Sequence, residues 1–309
     1  MQALIIPMQV AIFTIGGNLQ PASELVEQAL EIVNQAGDTN ILTRALTNLA
    51  LYYQAVGDVT RSVQLMQQQV EINQQQGNHL GEAVGLINLG YYYLSLGQFE
   101  TGRNLLERAL QIARSLGARS FVAYALLNLG LAEWRLGQSQ AACQRLQLSL
   151  PILEALGDQR GLAARQFYLG LANEKTGNLS EATASYESAR AAFKLLDATT
   201  QMVEAQAGLA RLALQRSDLS QAEHNAMVIF NYLEQHGPQG LELPILVYLT
   251  CAMVFQALGD VLRLQHILEI GRKELQVRLD RISEAGWRET FLKTVPENCA
   301  LMEFELFGK

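Results

Sequence analysis

Cysteine and proline are scarce in this chain. Its 309 residues include 6 prolines and 3 cysteines. Few prolines leave long stretches free to form helices, because proline disrupts a helix interior. The cysteines, Cys143, Cys251 and Cys299, lie far apart and form no Cys-x-x-Cys pair. This spacing argues against a disulfide framework or a zinc site, and we expect small apolar thiols in a reducing cytoplasm.

Positive charge is also scarce. The formal net charge is −7, the sequence pI is about 5.2, and no long run of Lys and Arg is present. Nucleic acids and anionic lipids bind clustered Lys and Arg, so neither is predicted as a partner. The apolar start, MQALIIPMQVAIFTIGG, has no basic residue, contains Pro7 and is too short to cross a bilayer. A signal peptide or a membrane anchor is therefore not expected.

Sequence motifs of known catalytic chemistry are missing as well. The chain contains no GxxxxGK[ST], no HExxH and no GxSxG, and each of these places reactive or ligand-binding groups at a fixed spacing. Its four histidines occupy unrelated positions. Three carboxylates, Glu133, Glu174 and Glu204, are spaced so that they can share one surface, where we expect them to be solvated. We therefore predict no enzyme activity, no metal site and no cofactor.

The chain has instead a repeat of 40 residues. Between its copies lie similar strings, among them TNLALYYQAVGD, INLGYYYLSLGQ and LNLGLAEWRLGQ. A fixed period of about this length is typical of proteins in which one supersecondary unit is stacked many times. The period is clearest in two series of glycines, at positions 17, 57, 97, 137 and 177, and at 37, 77, 117, 157 and 237.

Each period divides into two segments that have the apolar spacing of an amphipathic helix. In the third period Leu86, Leu89 and Tyr93 mark the first segment, and Leu106 and Leu110 mark the second. The glycine after each segment suits the left-handed residue that ends a helix. The repeated unit is therefore predicted to be a helical hairpin. Seven hairpins are expected to begin near residues 1, 41, 81, 121, 161, 201 and 241.

The third period resembles the tetratricopeptide repeat, in a variety longer than the usual ~34 residues. The residues that carry the resemblance are Leu86, Leu89, Gly90, Tyr93, Gly97, Phe99, Gly102, Leu106 and Ala109. The resemblance implies an all-α fold, a right-handed α-solenoid of about seven hairpins over residues 1–280, with a C-terminal helical cap over 281–309. It assigns Tyr92 and Tyr93 to packing within the repeats and Tyr91 to an open face.

The later part of the chain departs from the pattern. Asp197 and Ser217 replace turn glycines, and the string HGPQGLELP lengthens one connection. We expect looser turns around the sixth hairpin and a distorted connection after it. The string FLKTVPEN, residues 291–298, resembles the end of tetratricopeptide arrays in large bacterial signalling proteins. That resemblance implies an alternative role, as the sensor arm of a larger ATPase or transcription activator.

The first predicted helix is apolar and has no polar cap before it. Its exposed apolar residues would be Leu4, Ile5, Ile6, Val10, Ile12 and Phe13. Each end of a solenoid presents an apolar face where a neighbouring repeat is missing. Two interpretations are open: further repeats or domains precede residue 1 in a longer protein, or the face pairs with a second copy of the chain.

The resemblance also implies a binding groove along the first helices of the hairpins. In the family, the groove-facing positions lie five and two before a central Tyr, such as Tyr93, and one after it. In the fifth and sixth hairpins these positions include Glu174 and Arg211. The candidate groove residues are Asn48, Leu51, Ile87, Asn88, Tyr91, Leu94, Leu127, Asn128, Leu131, Trp134, Phe167 and Leu171.

These candidates are mostly apolar and aromatic, and the Lys/Arg set with which some family members hold a terminal carboxylate is missing. We predict that a peptide or an amphipathic helix of a partner protein binds here, in the helix-in-groove manner. Trp134 is the candidate anchor, and the three asparagines are candidates for hydrogen bonds to the ligand backbone. The alternative is that the same side chains pack between neighbouring helices of the array.

Overall fold

The computed structural model describes residues 2–15, 19–35 and 38–305. Within these residues the chain forms sixteen α-helices and no strand. In chain order the helices are α1 (Gln2–Ile15), α2 (Leu19–Gln35), α3 (Thr39–Ala55), α4 (Val59–Gln75), α5 (His79–Ser95), α6 (Phe99–Ser115), α7 (Arg119–Arg135), α8 (Ser139–Leu156), α9 (Gln159–Thr176), α10 (Leu179–Leu195), α11 (Thr199–Gln215), α12 (Leu219–His236), α13 (Pro244–Leu258), α14 (Val261–Asp280), α15 (Ala285–Thr294) and α16 (Pro296–Glu303).

The first fourteen helices form hairpins of consecutive pairs. The partners α3 and α4, α5 and α6, and α9 and α10 pack along each other, and α4 also packs on α5 and α10 on α11. The first helices of the seven hairpins begin at residues 2, 39, 79, 119, 159, 199 and 244. The prediction of an all-α fold built from helical hairpins is therefore confirmed.

Glycines in the left-handed conformation end many of these helices. At Gly97 the backbone has φ +78°, and its N–H donates to the carbonyl of Leu94 (3.1 Å). The next N–H, of Gln98, donates to the carbonyl of Tyr93 (2.9 Å). This is the hydrogen-bond pattern that closes a helix C-terminus, and it explains the spacing of the glycines. Gly17 and Gly37 lie outside the described residues.

The two turns without glycine keep the same geometry. Asp197 has φ 52° and Ser217 has φ 59°, which are the positive-φ non-glycine residues of the described chain. The N–H of Ala198 donates to the carbonyl of Phe193 (2.9 Å), as its counterpart does in the glycine turns. The expectation of looser turns therefore differs from the structure. The packing of the flanking helices requires the chain to turn at these two positions. Asp197 and Ser217 therefore adopt the left-handed conformation, although it is less favourable for them than for glycine.

The connection between α12 and α13 is longer than the others, as the string HGPQGLELP suggested. Gly237 and Gly240 both have positive φ there, and α13 begins at Pro244, a residue suited to the first position of a helix. The N–H of Leu243 donates to the carboxylate of Glu204 in α11 (2.6 Å). A buried side chain thus fixes the end of this connection.

The chain divides into two compact units. The first unit comprises Met1–Ala125 and Asp280–Arg288, and the second unit comprises Leu126–Leu279 and Glu289–Lys309. In the first unit the N–H of Ser283 donates to Thr60 Oγ1 (3.2 Å). In the same unit the ring of Trp287 meets the ring of Tyr93 edge-on, with centroids 5.8 Å apart. Part of the predicted C-terminal cap therefore packs against the repeats of the first unit.

The cores of both units are built from the apolar stripes of the helices. In the first unit Tyr92 and Tyr93 are buried and Tyr91 is half-buried, as the repeat pattern predicts for these three rings. In the second unit Asn298 donates from its side-chain amide to the carbonyl of Phe291 (2.8 Å), which joins α15 and α16. The largest fully buried side chains of the second unit include Leu126, Leu129, Leu146, Tyr186 and Phe255.

Candidate functional site

The second unit contains a pocket of about 710 Å³. A pocket of roughly 300–1,000 Å³ is of the size that binds small molecules and side chains. The first helices of four hairpins contribute to its lining, together with the short C-terminal helix α16. The lining residues are Trp134, Arg135, Leu136, Gly137, Leu171, Glu174, Lys175, Arg211, Gln215, Leu246, Leu249, Pro296, Glu297 and Ala300.

One wall of the pocket is a buried pair between Arg211 of α11 and Glu174 of α9. The guanidinium donates from Nε to Glu174 Oε1 (2.7 Å) and from Nη2 to Oε2 (2.8 Å), which is a bidentate arrangement. Its Nη1 donates to Thr250 Oγ1 (3.1 Å). The hydroxyl of Tyr186 donates to Glu174 Oε2 (2.6 Å) and accepts from Arg211 Nη2 (3.2 Å). These bonds compensate for taking both charges out of water.

The surroundings raise the pKa values of both Arg211 and Tyr186. Burial, the largest effect, lowers the pKa of the Arg211 guanidinium, but Glu174 and Tyr186 together raise it, so the net shift is upward. Burial and then the Glu174 carboxylate raise the pKa of the Tyr186 hydroxyl well above its ordinary value. Arg211 is therefore a fixed cation and Tyr186 a fixed hydrogen-bond donor.

Two glycines make room for the Tyr186 ring. A β-carbon at Gly170 in α9 would lie 2.5 Å from Cδ1 of the ring, and one at Gly208 in α11 would also collide with it. Only glycine allows α9 and α11 to approach the ring this closely from both sides. The ring is thereby held with its hydroxyl at the ion pair of Arg211 and Glu174.

A second bidentate pair lies in the same lining. Arg135, at the end of α7, donates from Nη1 and Nη2 to the two carboxylate oxygens of Glu297 in α16, both at 2.8 Å. The Arg135 guanidinium also lies 4.6 Å from the centroid of the Trp134 ring, a cation–π distance. Burial, the largest effect, acts to raise the pKa of Glu297, but the charge and hydrogen bonds of Arg135, with smaller contributions from the backbone and Arg211, together hold this pKa below its ordinary value. The pair joins helices from sequence positions 162 residues apart.

The remainder of the lining is apolar. Leu171 of α9 and the pair Leu246 and Leu249 of α13 face the pocket, as does the half-buried ring of Trp134. The pocket therefore combines hydrophobic walls with charged groups whose positions are fixed by hydrogen bonds. Such a lining suits a ligand that offers both an apolar part and a polar group.

The three carboxylates that we expected in solvent are not solvated. Glu133 and Glu204 are only 4% and 2% exposed, and the side chain of Glu174 is 13% exposed. Each has a partner that the repeat pattern does not indicate. Glu133 accepts from Arg145 Nε (3.0 Å), Glu204 accepts from the N–H of Leu243, and Glu174 pairs with Arg211 as described above.

The twelve candidate groove residues divide between the two units. Six belong to the first unit, and six belong to the second, where Trp134 and Leu171 line the pocket. The half-buried candidates are Asn48, Leu51, Asn88, Tyr91, Asn128 and Trp134. The buried candidates are Ile87, Leu94, Leu127, Leu131, Phe167 and Leu171.

Sequence reasoning did not find several residues of the pocket. Lys175 and Gln215 follow groove-facing positions by one residue, and Arg135 follows Trp134 in the same way. Glu297 and Pro296 belong to the tail, whose sequence has no periodic relation to the repeats. The one signal available was the charge of Arg211 at a position that is Leu or Tyr in the four preceding hairpins.

Among the described residues no group of three or more His, Cys, Asp and Glu side chains is placed to hold a metal ion. Over the same part of the chain, each helix is too short or too polar to cross a membrane.

Comparisons with known proteins concern both the sequence and the fold. The family model described as Tetratricopeptide repeat matches residues 41–115. These residues form hairpins α3–α4 and α5–α6. A search of curated protein sequences finds no match.

Several solved structures share the fold over most of their length. A Rap protein complexed with Competence and Sporulation Factor matches with a TM-score of 0.71 at 13% identity, over 96% of this chain and 85% of that one. NprR in complex with its cognate peptide NprX gives a TM-score of 0.69 at 14% identity, over 97% and 87%. Aspartyl phosphate phosphatase F from Bacillus subtilis gives 0.66 at 14% identity, over 90% and 71%.

Identities this low establish the fold alone. The family match and the paired helices identify residues 41–115 as tetratricopeptide repeats, and the other described hairpins have the same paired helices and turns.

Proposed function

We propose that the chain is an interaction scaffold that binds a short segment of a peptide or protein partner in the pocket of its second unit. The observation that carries this proposal is the pocket itself, which lies on the first helices of the hairpins and combines apolar walls with fixed charges. NprR, which has the same fold, is known in complex with its cognate peptide, and this supports a peptide as the class of ligand.

Trp134 is the proposed anchor of the bound segment. Its ring is half-buried, lines the pocket and lies against the Arg135 guanidinium, which Glu297 holds in place. A ring fixed in this way loses little conformational entropy on binding, and large rigid aromatic residues dominate many interfaces. Leu171 and Leu249 complete an apolar surface beside it.

The half-buried candidates of the first unit remain a separate proposal. Asn48, Leu51, Asn88 and Tyr91 lie on α3 and α5, the first helices of their hairpins. We infer that they contribute polar, apolar and aromatic contacts to a partner. Substitution of Tyr91 by Ala tests this contribution separately from the pocket.

The proposal also includes a reducing compartment. Cys143, Cys251 and Cys299 are free thiols, which fits a cytoplasmic protein. The alternative role as the sensor arm of a larger bacterial ATPase or transcription activator has no structural observation of its own in its favour.

Binding of a positional-scanning library of C-terminally amidated hexapeptides tests the proposed function. The chain contains two tryptophans, so Trp287→Phe leaves Trp134 as the single fluorophore. We expect at least one peptide pool to change the Trp134 emission in a saturable manner. In a competition assay with a labelled pool, Trp134→Ala should weaken binding roughly tenfold or more, as for an anchor residue.

Trp287→Phe is the matched control, because Trp287 packs on Tyr93 in the first unit and should leave affinity unchanged. The proposed function is wrong if no pool binds the folded wild-type chain. The assignment to this pocket is wrong if Trp134→Ala binds the same pools with wild-type affinity.

A further inference from the structure

The charges that line the pocket do not balance. Three cations contribute, Arg135, Lys175 and Arg211, against two carboxylates, Glu174 and Glu297. Both carboxylates are already held bidentately by the arginines. Lys175 has no carboxylate oxygen within 4 Å among the residues that the structure describes. The lining thus has a surplus of one positive charge in a chain whose net charge is −7.

The Arg211 guanidinium has hydrogen-bonding capacity left over. A guanidinium has five N–H donors. Arg211 makes four hydrogen bonds within the described chain, to Glu174 twice, to Tyr186 and to Thr250. At least one N–H on a nearly buried, permanently charged side chain is therefore available beside the pocket. Lys175 and Arg211 lie on the neighbouring helices α9 and α11, which are in contact.

The apolar lining lies on both sides of these two cations in the order of the helices. Trp134 comes from α7, and Leu246 and Leu249 come from α13, while Lys175 and Arg211 lie on the helices between them. A bound segment that matches this order has an acidic residue in its middle and apolar residues around it.

We propose that the segment bound by the pocket is acidic, with an internal Asp or Glu side chain that binds Lys175 and the remaining N–H of Arg211. This inference rests on the proposed function and adds the chemistry of the ligand. The ligand carboxylate balances the surplus charge and accepts hydrogen bonds from the Lys175 ammonium and from Arg211. Charge-assisted hydrogen bonds of this kind are stronger than neutral ones, and selectivity follows because an amide of the same shape lacks the charge.

The test compares pools that differ only in this group. Amidated hexapeptide pools with Asp fixed at each position are measured against pools with Asn at the same position, and Glu pools against Gln pools. We expect the best acidic pool to bind roughly tenfold more tightly than its amide counterpart, because a charged hydrogen bond contributes about 1.5–3 kcal/mol. The preference should shrink as the salt concentration rises, since Lys175 is exposed.

Substitution of the lysine connects the preference to this site. Lys175→Gln removes the surplus charge but leaves Arg211, so it should reduce the ratio of acidic to amide affinity by severalfold, and Lys175→Arg should retain the full ratio. Lys194→Gln, at an exposed lysine of α10 that does not line the pocket, is the matched control and should keep the full ratio. Lys175 is on the surface, so each variant is expected to fold, and circular dichroism verifies this.

Other outcomes distinguish the two proposals. If peptides bind through Trp134 but Asp and Asn pools bind equally, the inference of an acidic ligand is wrong and the proposed function stands. If the preference for acidic peptides appears only when the terminal carboxylate is free, the inference that an internal side chain binds the cations is wrong. An acidic preference that Lys175→Gln leaves at its full size also overturns the inference. The absence of binding by every pool overturns the proposed function itself.

Discussion

Replacing the two non-glycine turn residues by glycine should stabilise the second unit. Asp197 and Ser217 hold a left-handed backbone, with φ of 52° and 59°. This conformation costs a residue with a β-carbon about 1–2 kcal/mol, and glycine removes that cost. Glycine also has more conformational freedom in the unfolded chain, which offsets about 0.4–1 kcal/mol of the stabilisation. The net expectation is roughly 0.5–1 kcal/mol for each substitution.

The two effects should add. The turns lie at opposite ends of α11, whose 17 residues span about 25 Å, and substitutions more than ~10 Å apart behave independently. The double variant should therefore gain roughly 1–2 kcal/mol. With a slope of about 2 kcal/mol per molar urea, the midpoint of unfolding moves upward by about 0.5–1 M.

The assay is urea unfolding followed by the fluorescence of Trp134, a residue of the second unit, in the Trp287→Phe background. The urea midpoint should be highest for Asp197→Gly, followed by Asp197→Asn, the wild type and Asp197→Ala. This order is expected because Asn and Asp tolerate the left-handed region better than Ala. The matched reverse change is Gly177→Ala, at a turn with φ +79° where an added β-carbon meets no atom within 4 Å. It should lower stability without a steric clash.

Two results would refute this reasoning. The backbone argument is wrong if Asp197→Gly and Asp197→Ala shift the midpoint by the same amount. It is also wrong if Gly177→Ala leaves the midpoint unchanged, because conformational strain is then not what the turn glycines relieve.

Three further changes test the buried groups of the second unit, each by urea unfolding. Burial and then the neighbouring Glu242 raise the pKa of Glu204 well above its ordinary value, so its contribution to stability is complete below pH ~4.3 and is lost as the pH rises through the raised pKa. As the pH rises from 5 to 8, the free energy of unfolding should therefore fall less for Glu204→Gln than for the wild type. An equal fall in both proteins would contradict this. Gly208→Ala forces a β-carbon into the Tyr186 ring and should destabilise by about 1–2 kcal/mol net of its better helix propensity; a more stable variant would contradict the close packing. Glu297→Gln removes the charge that Arg135 pairs with in α16 and should cost about 3 kcal/mol, and a cost near zero would show that the pair is solvated.

The hairpins could be predicted because their causes are local. The turn glycines are set by the backbone conformation of a helix end, and the apolar spacing of residues such as Leu86 and Tyr93 is set by the helical period. Both recur every 40 residues, so each copy supports the same interpretation. The burial of Tyr92 and Tyr93 follows from the same pattern.

The pocket could be predicted only in part, because its charges pair across the array and with the tail. Glu133, Glu174 and Glu204 look like solvated residues in a sequence, since nothing local shows that each lies beside a buried donor. The partner of Arg135 is Glu297, 162 residues later, in a segment outside the repeat. Periodicity carries no information about such a pair.

The sequence nevertheless contained one signal for the pocket, in the form of departures from its own repeat. The position two before the central Tyr holds Leu51, Tyr91, Leu131 and Leu171 in successive hairpins, and then Arg211. A charge at a position that other copies use for packing is costly unless a built partner compensates for it. In a repeat protein the residues shared by all copies are those needed for packing. A copy that has a buried charge at a packing position therefore indicates a site with an additional function. Arg211 is that case, and its bonds to Glu174 and Tyr186 form a wall of the pocket.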